Sequence, residues 1–248
     1  MTYSIVAHDP ASGSLGIAVA SRFFAVGSLV PYARHNAAIA SQAFVNPMWG
    51  VEGVERLGGG ECGELVMADF VERDAGQASR QAHLIDAHGK SVAHTGAQCI
   101  DWAGHVVSDG VSVAGNMLAG PNVVADTLTS YLNSSQLPFA ERLLCAMQAG
   151  EDAGGDKRGK QSAALRIHRA QDYPMLDLRV DDHADPLKEL SRLYAVAQER
   201  LVYFAHTFAT TNNFSGTTDR TELDRSIAEL EARQRKNGEV SKSFATPH

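Results

Sequence analysis

The sequence is poor in cysteine. Cys62, Cys99 and Cys145 stand far apart, and no C-x-x-C pair exists. An odd number of scattered thiols is no disulfide framework, and it points to reduced cysteines in a reducing compartment. Positive charge is also scarce: 22 Lys and Arg face 29 Asp and Glu, a net charge of -7 with no long basic run. Phosphate backbones are bound by clustered Lys and Arg, so no nucleic-acid partner is expected. No window reaches the about 18 consecutive apolar residues of a membrane span. The start has neither the basic segment nor the long apolar core of a secretory signal, so the expected location is the cytoplasm. The G-x-x-x-x-G-K-[ST] spacing is missing, as are H-x-x-x-H and H-E-x-x-H. Asp181-Asp182-His183 is a poor ligand set, because neighbours on a strand point to opposite faces. Asp182 or Asp185 suits a helix cap better. No metal and no cofactor are expected.

What is present is a globular composition. Hydrophobic residues make up 44% and charged residues 21% of 248, enough for one large domain with a sizeable core. Residues 2–8 and 14–21 read as a β-hairpin turned by Asp9, Pro10 and Gly13. The second strand is apolar on both faces and carries Gly16, Ala18 and Ala20, so it is expected to be covered on both sides at close range. Residues 23–35 read as irregular or as a short strand, and 36–44 as a third strand. Asn46-Pro47 opens a helix to about Leu57, and a second follows over 61–73. Residues 80–86 and 91–95 form another hairpin, with short strands at 106–108 and 111–115. Helices at 121–132 and 138–149, strands at 162–169 and 175–180, and a long helix from Asp185-Pro186 to about Phe204 complete the pattern. Strands joined by hairpins with helices in pairs predict an α+β fold of mostly antiparallel sheets in four αββα layers, a mixed two-layer fold being the alternative. The expected organisation is a domain over 1–206, a polar linker over 207–220, and a helix at 221–235 followed by a disordered tail to 248.

Thr2 carries the first candidate chemistry. If Met1 is removed, one residue holds both a hydroxyl and a free α-amine, a nucleophile and a base together. The amine titrates at about 7.7–8.0, suited to general-base work near neutrality. An ordinary strand start is the bland alternative. Ser4 lies on the same strand face and is the second choice, but it lacks an amine.

Thr2-Tyr-Ser-Ile-Val-Ala7, Ala20-Ser-Arg-Phe-Phe-Ala-Val-Gly27 and Gly115-Asn-Met-Leu-Ala-Gly120 carry a resemblance, together with Gly154 to Ala164 and Leu178-Arg-Val-Asp-Asp-His183. In this order the chain resembles the family called domain of unknown function 1028 over about residues 2–200. The resemblance implies membership of the N-terminal nucleophile (Ntn) hydrolase superfamily, which shares a four-layer αββα fold with proteasome β-subunits and penicillin acylases. It implies amide-bond hydrolysis and a homo-oligomer, and brings no established substrate. The expected substrate is a small amide, ureide or N-acyl amino acid held by charged groups of the 154–162 loop, and the alternative is a non-catalytic scaffold of the same fold that binds a ligand or a partner.

The other candidates follow from position. Arg22 ends the second strand, beside the first, where a cation would favour a neutral amine and stabilise negative charge; otherwise it caps a strand at the surface. Ser21 next to it reads as structural. Asn116 at a strand end could donate to an oxyanion or merely hold its own turn. Asp156, Arg158 and Gln161 sit in a Gly-rich loop able to grip a charged substrate, or to pair among themselves. Gln42, late in the third strand, is a further candidate to reach the pocket.

Overall fold

The computed structural model describes residues 2–246; the expected removal of Met1 and the last two positions of the tail lie outside them. Strands β1 (Thr2–Asp9) and β2 (Ser14–Ser21) form the first hairpin, in the register Tyr3 to Ala20 through Asp9 to Ser14. β3 (Pro31–Arg34) and β4 (Ala37–Ala43) follow, and then α1 (Pro47–Gly58) and α2 (Gly63–Arg73). Asn46 caps α1 by accepting from the Met48 amide at 3.0 Å, with Pro47 in the first turn. Next come β5 (Arg80–Asp86), β6 (Ser91–Thr95), β7 (Trp102–Ser108) and β8 (Val111–Leu118). Helices α3 (Asn122–Asn133) and α4 (Phe139–Asp152) precede β9 (Ser162–His168) and β10 (Leu176–Val180).

These strands form two antiparallel sheets. One has six strands in the order β10-β9-β2-β1-β8-β7, the other four in the order β3-β4-β5-β6. β1 is therefore internal, with β2 on one flank and β8 on the other. Val6, Leu15, Ile17 and Val19 meet Ala38, Ala40 and Ile85 of the second sheet in one buried cluster. On the other side of the four-stranded sheet, Trp49 and Leu57 of α1 and Val66, Met67 and Phe70 of α2 pack on Ala37, Ile39, Ala82 and Leu84.

The small residues of β2 explain how α4 gets close. A Cβ on Gly16 would lie 2.6 Å from Leu143 Cδ1 and 2.8 Å from the Phe139 ring. Tyr3 points the same way, and its hydroxyl donates to the Met147 carbonyl at 2.8 Å. Alternation then sends Thr2, Ser4 and Val6 toward the second sheet. The strand expected to be covered on both faces is so covered.

The chain divides after Leu187 into two compact units. α5 (Pro186–Glu199), which begins just before the division, stops at Arg200, and α6 (Leu201–Ala205) follows it in the second unit. One helix to Phe204 was expected, and nothing in the sequence marks the break. Residues 207–218 close into a loop in which the Thr217 amide donates to the Thr207 carbonyl at 2.9 Å. α7 (Thr221–Asn237) buries Leu223, Ile227 and Leu230 and ends at Gly238, whose φ of 67° is the left-handed turn of a helix C-terminus. The stretch after it has no regular structure, yet the Lys242 amide donates to Glu199 at 2.9 Å and the Arg192 guanidinium donates to the Lys242 carbonyl at 2.5 Å. Among the described residues there are seven α-helices, and none is long and apolar enough to cross a membrane.

Candidate functional site

Thr2 starts the internal strand β1 and is only 6% exposed. Its hydroxyl donates to the Ser21 hydroxyl at 3.2 Å. On the other flank its cross-strand partner is Asn116 of β8. Thr2, Ser21 and Asn116 thus form one row across three strands. The Ser21 hydroxyl is more involved than its sequence position suggested, since it is the partner of the Thr2 hydroxyl.

The Gly-rich loop closes over the Ser21 flank. Gly154, Gly155 and Gly159 have φ of 111°, 48° and 107°, the backbone freedom that turns the chain straight off α4. The Asp156 carboxylate is buried in that loop. It accepts from the Arg22 amide at 2.7 Å, from the Arg158 amide at 2.9 Å and from the Arg158 guanidinium at 3.3 Å. The Arg22 guanidinium donates to the Arg158 carbonyl at 2.8 Å. The Gln161 amide donates to the Ser21 carbonyl at 3.1 Å, and its side chain donates to Asp182 at 3.1 Å. The structure therefore brings Arg22, Asp156, Arg158 and Gln161 together as one braced segment beside Thr2. Asp156 is spent on this bracing, while both guanidinium groups remain partly exposed to solvent.

Between the sheets the apolar cluster gives way to a polar one toward the Thr2 end. The Ser4 hydroxyl donates to Gln42 Oε1 at 2.7 Å and lies 2.8 Å from His83 Nε2. His83 Nδ1 is 3.0 Å from the Ser112 hydroxyl. Gln42 Nε2 donates to Gln81 Oε1 at 2.9 Å, and Asn116 Nδ2 donates to the same oxygen at 3.0 Å. Gln81 Nε2 donates to the Gly115 carbonyl at 2.8 Å and to Thr95 at 2.9 Å. Leaving any of these groups unpaired would cost about 1–3 kcal/mol, so the network fixes each member. Burial, with the nearby His105, pushes the His83 imidazole down to about 3, so the ring is neutral.

Two expectations change here. Gln42 does not contact the cavity described below; it is fully buried, with both ends of its amide bonded inside the network. Ser4 has a basic partner after all in His83, but both are fully buried, out of reach of a substrate. Sequence reasoning missed His83 and Gln81. Their signal was the alternation Gln81, His83, Ile85 along β5, which puts polar side chains on the inward face of a core strand.

A cavity of about 450 Å³ opens on the Asn116 flank, lined by Ala43, Phe44, Cys99, Ile100, Asn116 and Met117 among others. Ala43 and Met117 have φ of 69° and 52°, and Asp101, next to Ile100, has φ of 56°. These are three of the four left-handed non-glycine residues among those described. Such strain persists where the surroundings hold it, often at ligand sites. Among the described residues no group of three or more His, Cys, Asp or Glu is arranged to hold a metal ion.

A family model of unknown function, DUF1028, matches residues 2–190. The chain belongs to the DUF1028 family. A solved relative, protein SPO2555 from Silicibacter pomeroyi, is described in its title by the same family model. It is 31% identical, and the alignment covers 88% of this chain and 99% of that one with a TM-score of 0.81. No curated protein matches the chain. The family match takes in every site residue named above, from Thr2 to Gln161.

Proposed function

We propose that this DUF1028 protein is an amidohydrolase of the Ntn type, with Thr2 as nucleophile once the bond before it has been cut. The two sheets with a helix pair beside each are read as the four-layer αββα sandwich of that superfamily. The observation that carries the proposal is the row Ser21, Thr2, Asn116, whose last member lines the cavity, with the Thr2 hydroxyl held by a neighbouring hydroxyl.

The chemistry follows from the groups in place. The free Thr2 amine accepts the proton of its own hydroxyl, and the oxygen attacks the substrate amide carbon. Negative charge then develops on the carbonyl oxygen. One Asn116 N–H is committed to Gln81; the other faces the Thr2 carbonyl at 3.5 Å, a weak bond it can exchange for the oxyanion. Collapse breaks the C–N bond, the Thr2 ammonium gives its proton to the leaving amine, and an ester on Thr2 remains. Water, deprotonated by the same amine, cleaves that ester, releasing the acid and restoring Thr2. Arg22, one residue past Ser21, adds positive potential that favours the neutral amine. No cofactor takes part. The small amide substrate would arrive in the cytoplasm, and a homo-oligomer is the proposed assembly.

The test is acyl transfer by protein with a free Thr2 amine. Thr2→Ser should keep measurable turnover of simple amides, and Thr2→Ala should lose it while remaining folded. Turnover by Thr2→Ala would refute the assignment. The near-complete burial of Thr2 favours one second reading, a non-catalytic scaffold that binds a ligand in the cavity. On that reading ligand binding survives in both variants and no product forms.

A further inference from the structure

We infer that the cavity beside Asn116 is an acyl-chain subsite, and that the substrates are N-acyl amino acids with an apolar acyl group. The inference rests on the hydrolase reading above and narrows its substrate class.

Five observations carry it. Most of the cavity wall is supplied by Ala43, Phe44, Cys99, Ile100 and Met117, and no lining residue is charged. Its volume, about 450 Å³, lies within the roughly 300–1,000 Å³ of small-molecule sites, which are mostly apolar with a few placed polar groups. Its polar side chains are Ser79, Gln98 and Asn116, and Asn116 is the cross-strand neighbour of Thr2, so whatever fills the cavity ends beside the Thr2 row. Phe44 and Ile100 are 74% and 59% exposed, large apolar side chains held open at the cavity instead of folded into the core. Ala43 and Met117 carry left-handed backbone at the same wall, which shapes a space instead of closing it.

The strand order gives the substrate its direction. β1 lies between β8, which bears Asn116, and β2, which is followed by Arg22. The apolar cavity and the Arg22 guanidinium are on opposite flanks of Thr2. A guanidinium has five N–H donors. One Arg22 nitrogen donates to the Arg158 carbonyl, and the group is exposed, with donors left over for a carboxylate. An amide with an apolar acyl group on one side and an amino-acid carboxylate on the other matches that polarity.

The test uses N-acetyl-, N-butanoyl- and N-hexanoyl-alanine with the full chain carrying a free Thr2. Turnover is followed as released alanine, and binding is measured by calorimetry on the Thr2→Ala protein. Burial of each added methylene should improve binding and kcat/KM about fourfold, and Ile100→Glu should flatten the series. Ile100 is exposed, so this variant keeps its fold; Phe44→Ala, also exposed, should weaken the chain-length dependence in the same sense. Hydrolysis with no chain-length preference would overturn the subsite and leave the hydrolase reading standing. Chain-dependent binding without alanine release would sink the hydrolase reading and support the subsite. Absence of chain-dependent binding in the Thr2→Ala protein would overturn the inference.

Discussion

His83 should make the protein lose stability in mild acid. The ring is fully buried between the sheets, bonded to Ser4 at 2.8 Å and Ser112 at 3.0 Å, and burial pushes its titration down to about 3. Once unfolded, the same side chain titrates near 6.5. Between these values the unfolded chain binds a proton that the folded chain refuses, so stability rises with pH across the window and is lost as pH falls. At 1.36 kcal/mol per unit, lowering the pH from 8 to 5 removes about 2 kcal/mol through this one group. The assay is urea unfolding at pH 8, 6.5 and 5 for the wild type and for His83→Gln, a polar residue that does not titrate. Glutamine shifts absolute stability through altered hydrogen bonds, so the readout is the change with pH and not the value at any one pH. His105 and His168, whose titration burial also lowers, are present in both proteins and cancel. The wild type should lose about 2 kcal/mol more than the variant over this range. Identical pH dependence in the two proteins would show that His83 is not held neutral, and the sealed network would be wrong.

Other perturbations test other parts of the structure. Asp156→Ala removes the acceptor shared by the Arg22 and Arg158 amides and should cost about 1–3 kcal/mol, with faster amide hydrogen exchange across 155–161; unchanged exchange there would refute the bracing. Gly50→Ala in α1 would gain up to about 1 kcal/mol of helix propensity, but the new methyl meets the Tyr32 ring. Overpacking costs about 1–3 kcal/mol, so the variant should melt lower, and a higher melting temperature would contradict the packing. Asp74 accepts from Asn46 at 2.8 Å, the Trp49 indole at 2.9 Å and Arg80 at 3.1 Å. Burial alone would raise its titration, but the Asn46 and Arg80 donors, with the Gly76 amide, bring it down to about 2. Its stabilisation is complete above the unfolded value of about 3.9 and fades as pH falls toward 2; Asp74→Asn should therefore flatten the acid limb of a stability–pH curve.

The fold was largely legible because its signals are local. Asn46-Pro47 begins a helix by capping chemistry, Gly16, Ala18 and Ala20 announce close packing, and Asp9, Pro10 and Gly13 turn a hairpin. The helix break at Arg200 was not legible, since neither proline nor glycine marks it. For the site, the end of β2 beside Thr2 could be placed from the hairpin, but the side-chain pairings could not. Ser21 and Asn116 flank Thr2 because β1 lies inside the sheet, a non-local fact. Gln42 was expected at the pocket, yet its register on β4 turns it into the space between the sheets, where Ser4 and Gln81 take both ends of its amide. The apolar cavity is built from the ends of β4 and β8 and from residues 98–100, stretches whose meeting no single window of sequence encodes.

The most direct test of the central claim is peptide mass spectrometry of the protein purified from its native host without an N-terminal tag, after reaction with a β-lactone acyl probe. The account predicts a mature chain that begins at Thr2 and carries one acyl group on the Thr2 hydroxyl. A chain that retains the residue before Thr2, or an acyl group placed anywhere but Thr2, would contradict it.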